Sequence, residues 1–350
     1  LCKESNPPLC THTRFIVLFW NEVKREGFVL IIKALKQGLV VKSTGSWYTV
    51  KDEEGNRYEC KIKGNLRLKG LKTTNPVAVG DQVSFEYREK DSKDQNRPVG
   101  LIFSIEERKN YIIRRSQNLS KQAHIIAANI DQAFLIATIN YPVTTTTFID
   151  RFLASAEAYR IPVVILFNKT DRYNQEQTER LLQLVETYQS IGYVCIKMSA
   201  TQKTGLEELQ ELMKDKISVF NGHSGVGKST IINTIQPNLN LKTREISDYH
   251  ETGKHTTTFS ELFELDFGGY IIDTPGIKAF GMLEMESWEI SHYFPEIFRI
   301  SQKCQYNNCS HTHEPGCAVK EAVVTGEIAE TRFISYLGLL EADQKYRPAY

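Results

Sequence analysis

Gly222, His223, Ser224, Gly225, Val226, Gly227, Lys228 and Ser229 follow one another in the order G-x-x-x-x-G-K-S, with Thr230 next. Glycines at these positions let backbone N–H groups curl around phosphate oxygens. A helix starting at Lys228 would turn its positive end towards the same oxygens. The Lys228 ammonium would neutralise β- and γ-phosphates, and the Ser229 hydroxyl is a ligand for Mg²⁺. The surroundings suit this use, since an apolar run at 217–220 precedes the loop and a helical pattern follows it.

Asn168, Lys169, Thr170 and Asp171 come directly after the apolar run 162–167. The Asp171 carboxylate can accept hydrogen bonds from the ring N–H and the exocyclic amine of guanine. Adenine presents an acceptor in place of one of those donors and leaves the carboxylate unpaired. Sites of that kind discriminate by as much as about 10⁴-fold. Alone, N-K-x-D is a common polar turn; its place at the carboxyl end of a strand, where open α/β sheets bind ligands, gives it weight. After the run 193–197, Met198, Ser199 and Ala200 would set backbone N–H groups against the guanine carbonyl.

Asp273-Thr-Pro-Gly276 closes the run 270–272. Asp273 would hold the water shell of Mg²⁺, and the Gly276 N–H would reach a γ-phosphate. Residues 253–258 form a polar loop, in which Thr257 is the candidate to ligate Mg²⁺ while γ-phosphate is present. An ordinary polar loop accounts for the same residues. His255 is a candidate to place the attacking water, against the alternative of a solvent-exposed loop histidine. A Ras-like GTPase has a glutamine just after D-x-x-G to orient that water. Here the position is Ile277, so slow intrinsic hydrolysis and stimulation by a partner are expected.

The order of these motifs is itself a signal. In a Ras-like chain the phosphate loop precedes the base-reading motif, whereas here Asn168 precedes Gly222 by 54 positions. The arrangement is a circular permutation, tolerable because domain termini often lie close together at the surface. Further on, Cys304, Cys309, His311 and Cys317 supply three thiolates and one imidazole, the ligand set of a closed, structural Zn²⁺ site. His313 is the alternative imidazole, and thiols without a metal are the plain alternative. Gly276 and Cys304 stand 28 positions apart, so a γ-phosphate-sensing loop would lead straight towards the zinc domain and could re-orient it.

The elements that must hold these residues follow two rhythms. From 38 to about 107, short alternating runs at 39–41, 47–50, 57–62 and 82–87 are separated by turn residues. That pattern predicts a small barrel, plausibly an OB-fold. From about 117, apolar runs at 133–139, 162–167, 193–197 and 217–220 alternate with helical patterns at 148–159, 175–190 and 206–214. This predicts a mostly parallel sheet covered on both faces. A helical pattern is expected over 318–346.

The sequence has 350 residues, 41% apolar and 24% charged, with a net charge of +1. That charge implies no polyanion partner by itself. Between Lys36 and Lys72, however, nine Lys/Arg stand against four Asp/Glu, among Trp47, Tyr48 and Tyr58. The combination suits base stacking beside phosphate neutralisation. A solvated basic face around an aromatic core accounts for it equally. The apolar stretches are far shorter than the roughly 20 residues a bilayer requires, so no membrane association is expected. Seven cysteines, three of them crowded near 304–317, fit a reduced cytoplasmic protein with one metal site better than a disulfide scaffold.

Together these motifs resemble the RsgA/YjeQ family, the circularly permuted GTPases of small ribosomal subunit maturation. The resemblance covers about residues 36–345. It rests on the segments at 127–132, 168–171, 222–230, 253–258 and 273–276, on Asp150-Arg151, and on the Cys/His cluster. It implies an OB-fold RNA-binding domain at 35–108, a permuted G domain at 109–280 and a zinc domain at 281–350. Residues 1–34 extend beyond the usual family start and have no assigned function. It further implies a monomer that binds GTP and GDP, works with the 30S subunit and 16S rRNA, and hydrolyses GTP late in assembly. Two other classes compete. A non-catalytic, nucleotide-dependent RNA-binding scaffold is disfavoured by the intact Lys228, Ser229 and Asp273, and an ATP-driven enzyme by Asp171.

Overall fold

A computed structural model of the chain describes residues 35–63, 76–88, 99–115, 123–239, 260–273 and 286–346. The leading extension at 1–34 lies outside them. Strands β1 (Lys36–Ser43), β2 (Tyr48–Asp52), β3 (Arg57–Ile62), β4 (Gln82–Arg88) and β5 (Val99–Ile105) build the first region. In β2 Tyr48, Val50 and Asp52 are buried and the residues between them half-buried, the period-two pattern of a strand with one wet face. β1 pairs antiparallel with both β2 and β4, β3 runs parallel to β5, and β4 pairs antiparallel with β5. The order β1-β2-β3-β5-β4 therefore returns to β1 and closes the expected OB-like barrel around Val40, Val83, Phe85 and Ile102.

β6 (Tyr111–Arg115) and β7 (Ala123–Ala128) form a separate antiparallel pair. The sequence reading missed this pair, and a register shift between Ile112 and Ile113 shows why: the bulge breaks the alternation that would mark a strand.

The second rhythm is realised as β8 (Gln132–Ala137), α1 (Thr146–Ala158), β9 (Val163–Phe167), α2 (Gln175–Ile191), β10 (Val194–Lys197), α3 (Leu206–Met213), β11 (Ile217–Asn221), α4 (Lys228–Ile235), β12 (Ser260–Glu264) and β13 (Tyr270–Asp273). The strands lie in the order β10-β9-β8-β11-β13-β12, all neighbours parallel except the β12–β13 pair. Every residue of β8 and β9 is buried, as a sheet covered on both faces demands. Ala133, Leu135 and Ala137 of β8 face the core shared with α1 and α2, while Phe134 and Ile136 face the one shared with α3 and α4.

The barrel and this sheet are continuous, because β1 pairs with β12 through Lys42↔Glu261 and Ser43↔Ser260. Basic side chains of the barrel reach across the join. Lys42 pairs with Glu261 at 3.0 Å, Lys51 with Glu264 at 2.5 Å and Arg57 with Glu264 at 3.6 Å. Part of the basic excess thus docks one region on the other, a use the sequence reading did not consider.

The C-terminal region holds α5 (Pro295–Ser301), α6 (Ala318–Val324) and α7 (Glu330–Tyr346). The single helical pattern expected over 318–346 is two helices, broken near Gly326, whose φ of +79° ends the first. Phe294, Ile297, Val319, Ala322, Ile328, Tyr336 and Leu340 form its core, and Ala154 of α1 is packed into it. No helix among the described residues is long and apolar enough to cross a membrane.

Candidate nucleotide site and metal centre

The phosphate loop connects β11 to α4, at the carboxyl end of the parallel strands. Two of its glycines are required by their surroundings. Gly222 has φ +153°, and a Cβ there would stand 2.7 Å from the Ile136 carbonyl oxygen of β8. Gly227 has φ +102°, and its Cβ would lie 2.4 Å from Nδ2 of Asn168. Gly227 is the N-cap of α4 and has no side chain to cap the first turn. Ser229 and Thr230 are half-buried in that turn.

Asn168 directly follows β9 and is almost wholly buried. Its Nδ2 donates to the Val226 carbonyl in the phosphate loop at 2.9 Å, and its Oδ1 accepts the Ala200 N–H at 3.1 Å. One amide thereby ties together three segments that are far apart in sequence. Lys169, in the left-handed region at φ +66°, donates Nζ to the Gly225 carbonyl at 2.6 Å and to that of Tyr141. Burial, then the neighbouring Arg172, lowers its pKa. Thr170 donates its hydroxyl to the Met198 carbonyl at 3.0 Å. The Tyr173 phenol donates to the Asn168 carbonyl at 2.5 Å and accepts the Ile139 N–H at 2.9 Å.

The Asp171 carboxylate accepts the Ser199 hydroxyl at 2.6 Å and that of Thr201 at 3.3 Å. The Ser199 bond is the main reason its pKa is lowered, so the carboxylate is held ionised and in a fixed plane. A carboxylate has about four acceptor positions, so two hydroxyl donors still leave room for two N–H groups of a base. The backbone N–H groups expected to meet a base carbonyl have partners here. That of Ser199 donates to the Thr204 carbonyl and that of Ala200 to Asn168. Meeting a ligand with Ala200 would exchange the latter bond.

β13 runs parallel to β11 with Val219 opposite Ile272, which brings the backbone of Asp273 beside the entry to the phosphate loop. Gly276, Ile277, Thr257 and His255 lie outside the described residues. Tyr173, Thr201 and Phe148 went unnoticed in the sequence. A phenol two residues after Asp171 has no spacing signature, and Phe148 has the pattern of any core helix residue.

Of the three barrel aromatics singled out, Tyr48 is buried in the core and Tyr58 is half-buried against Phe85. Trp47 is exposed, with Lys61 Nζ 4.2 Å from its ring centre, and Lys63 lies 4.1 Å from the Phe103 ring.

Cys304, Cys309, His311 and Cys317 present ligand atoms all within 4.8 Å of one another. Cys304 Sγ is 3.9 Å from Cys317 Sγ, and His311 Nδ1 is 3.4 Å from Cys317 Sγ. A tetrahedral Zn²⁺ with Zn–S bonds of about 2.3 Å would set its sulfurs about 3.8 Å apart, so the residues fit such an ion. Burial lowers the His311 pKa, favouring the neutral imidazole that binds metals. His313 is exposed and lies outside this set.

Comparison with known proteins agrees with the geometry. Residues 105–283 match the family model described as RsgA GTPase, and residues 37–93 that of the RsgA N-terminal domain. The chain is similar to small ribosomal subunit biogenesis GTPase RsgA 2 of Bacteroides thetaiotaomicron, at 57% identity over 90% of this chain and 100% of that protein. It is also similar to small ribosomal subunit biogenesis GTPase RsgA of Flavobacterium johnsoniae, at 53% identity over 88% of this chain and 94% of that protein. The crystal structure of YjeQ from Thermotoga maritima is 37% identical with a TM-score of 0.71, covering 89% of this chain and all of that one. That of YloQ, a circularly permuted GTPase, is 29% identical with a TM-score of 0.70, covering 90% and 97%.

Proposed function

This chain belongs to the RsgA family of GTPases, and from that membership we propose that it hydrolyses GTP while bound to the maturing small ribosomal subunit. The observation that supports the nucleotide part is the Asn168 amide, which ties the 168–171 turn to the 198–200 turn and to the glycine loop. Asp171 reads guanine. Lys169 lines the floor between base and phosphates. The N–H groups of residues 225–229 and the Lys228 ammonium take the phosphates.

Ser229, Asp273 and Thr257 would hold Mg²⁺, which when bound offsets charge on the β- and γ-phosphate oxygens. Gly276 donates its N–H to the γ-phosphate. His255 helps place the attacking water in a site that has Ile277 where a glutamine would stand. The metal is Zn²⁺, held by Cys304, Cys309, His311 and Cys317, and its role is to cross-link the loop that carries them.

The partner is the 30S subunit, with the barrel meeting 16S rRNA through Trp47, Lys61, Lys63 and Phe103, where stacking and charge stand side by side. The protein acts as a monomer in the cytoplasm, where that subunit is made. GTP turnover measured with and without purified 30S subunits tests the reading. Stimulation of at least tenfold is expected, and a rate unchanged by saturating subunits would contradict it.

A further inference from the structure

Asp150, half of a motif behind the sequence resemblance, has no part in the chemistry above, yet the structure buries it completely on α1. Its Oδ1 accepts Nη1 of Arg332 at 2.9 Å and the Tyr188 hydroxyl at 2.9 Å. Arg332, on α7, also donates Nε and Nη2 to Glu296 on α5, at 2.6 and 3.1 Å. Burial opposes the charge of this guanidinium, but attraction from Glu296 and then Asp150 outweighs it and raises its pKa. One turn along α1, Ala154 enters the core of the cysteine-bearing region. Helix α1 is therefore the seat of that region.

Two residues before Asp150, the same helix meets the phosphate loop. The Phe148 ring lies 3.7 Å, centre to centre, from that of His223, tilted by 31°. Thr145 accepts the Phe148 N–H and fixes it in the first turn of α1. The His223 carbonyl accepts the Val226 N–H at 3.4 Å, and the Val226 carbonyl takes the Asn168 amide. Phe148 and Asp150 lie within a single hydrogen-bonded turn of α1.

We propose that Phe148 and Asp150 are positioning residues for guanine-nucleotide turnover: α1 grips the phosphate loop through His223 and the zinc domain through Arg332, so that shifting the domain loosens the hold on nucleotide. The proposal rests on the GTPase reading and deepens it, because it names the route by which a partner seated on the zinc domain would act on the site. It requires a coupling between two sites that a purely architectural role for the ion pair would not produce.

The test is release of fluorescent mant-GDP from the full chain with its metal bound. It compares wild type with Phe148→Leu, Asp150→Asn and the double variant, each checked for melting temperature. Tyr188→Phe, which removes one bond to Asp150 and leaves the ion pair, is a milder version of the Asp150 change. Release faster by about 2- to 10-fold is expected for each single variant, the size of an aromatic pair. The double variant should be no faster than the faster single one, and Phe148→Tyr, which keeps the ring, should restore the wild-type rate.

Unchanged release in folded Asp150→Asn and Tyr188→Phe, effects that multiply in the double variant, or a Phe148→Tyr rate as fast as that of Phe148→Leu would each overturn the proposal. The GTPase reading is read separately: a wild type that binds neither mant-GDP nor mant-ADP would remove it, whereas tight mant-GDP binding with unaltered release in the variants would remove only this inference.

Discussion

Where the barrel meets the parallel sheet, Val41 and Val79 share the buried core of the sheet, and the β1–β12 pairing is flanked by ion pairs whose acidic partners, Glu261 and Glu264, are about a third or more exposed. Where the C-terminal region meets α1, the join is an arginine with a side chain 1% exposed, held by two buried carboxylates inside an apolar core. Exposed pairs contribute little and weaken with salt. A buried pair that loses one partner leaves a charge with no water and no counter-ion. The ion pairs of the barrel seam are therefore expendable beside its apolar packing, and those of the C-terminal seam are not. This bears on the re-orientation expected from the short 276–304 connection. On that seat the C-terminal region is expected to turn with α1.

The contrast can be attacked from its strongest point downwards. Removing Zn²⁺ with a chelator should cost the most, since structural zinc contributes on the order of 10 kcal/mol to the fold that holds it. Hydrogen exchange should then show loss of protection across 295–340 while the barrel strands stay protected. Equal protection with and without chelator would remove the structural role of the metal.

Arg332→Met should destabilise the chain by about 3–5 kcal/mol in denaturant unfolding, because Asp150 and Glu296 are left buried and unpaired. A loss below about 1 kcal/mol would erase the difference between the seams. Lys51→Met should cost no more than about 1 kcal/mol. Raising salt should reduce even that. A larger, salt-insensitive loss would mean the ion pairs of the barrel seam matter as much as those of the other.

The fold was legible where patterns are periodic. Strands fully buried in β8 and β9 read as continuous apolar runs, and the glycine loop does lie between a strand and a helix. The β6–β7 pair was hidden by its bulge, and the break between α6 and α7 by a lone glycine inside an otherwise helical pattern. In the site, residue types pointed to Asn168 and Asp171 but not to the bonds that hold them in place. The Asn168 amide serves as a bracket between loops, and the Ser199 hydroxyl donates to Asp171 while its N–H is held by the Thr204 carbonyl. Such roles depend on which segments meet in space, which spacing alone does not encode. The Asp150–Arg332 pair spans 182 positions and is invisible for the same reason.

The central claim is that one pocket, bracketed by Asn168, reads guanine through an ionised Asp171. Equilibrium binding of mant-GDP and mant-ADP to wild type and Asp171→Asn, across pH, tests it directly. Wild type should prefer mant-GDP by at least about 100-fold, and Asp171→Asn should lose most of that preference. Because the folded-state pKa of Asp171 is lowered, chiefly by the Ser199 hydroxyl, the carboxylate keeps its charge to lower pH than an ordinary aspartate, and affinity should begin to fall at correspondingly lower pH. Equal affinity for the two nucleotides in wild type, or a preference that survives Asp171→Asn, would contradict the account.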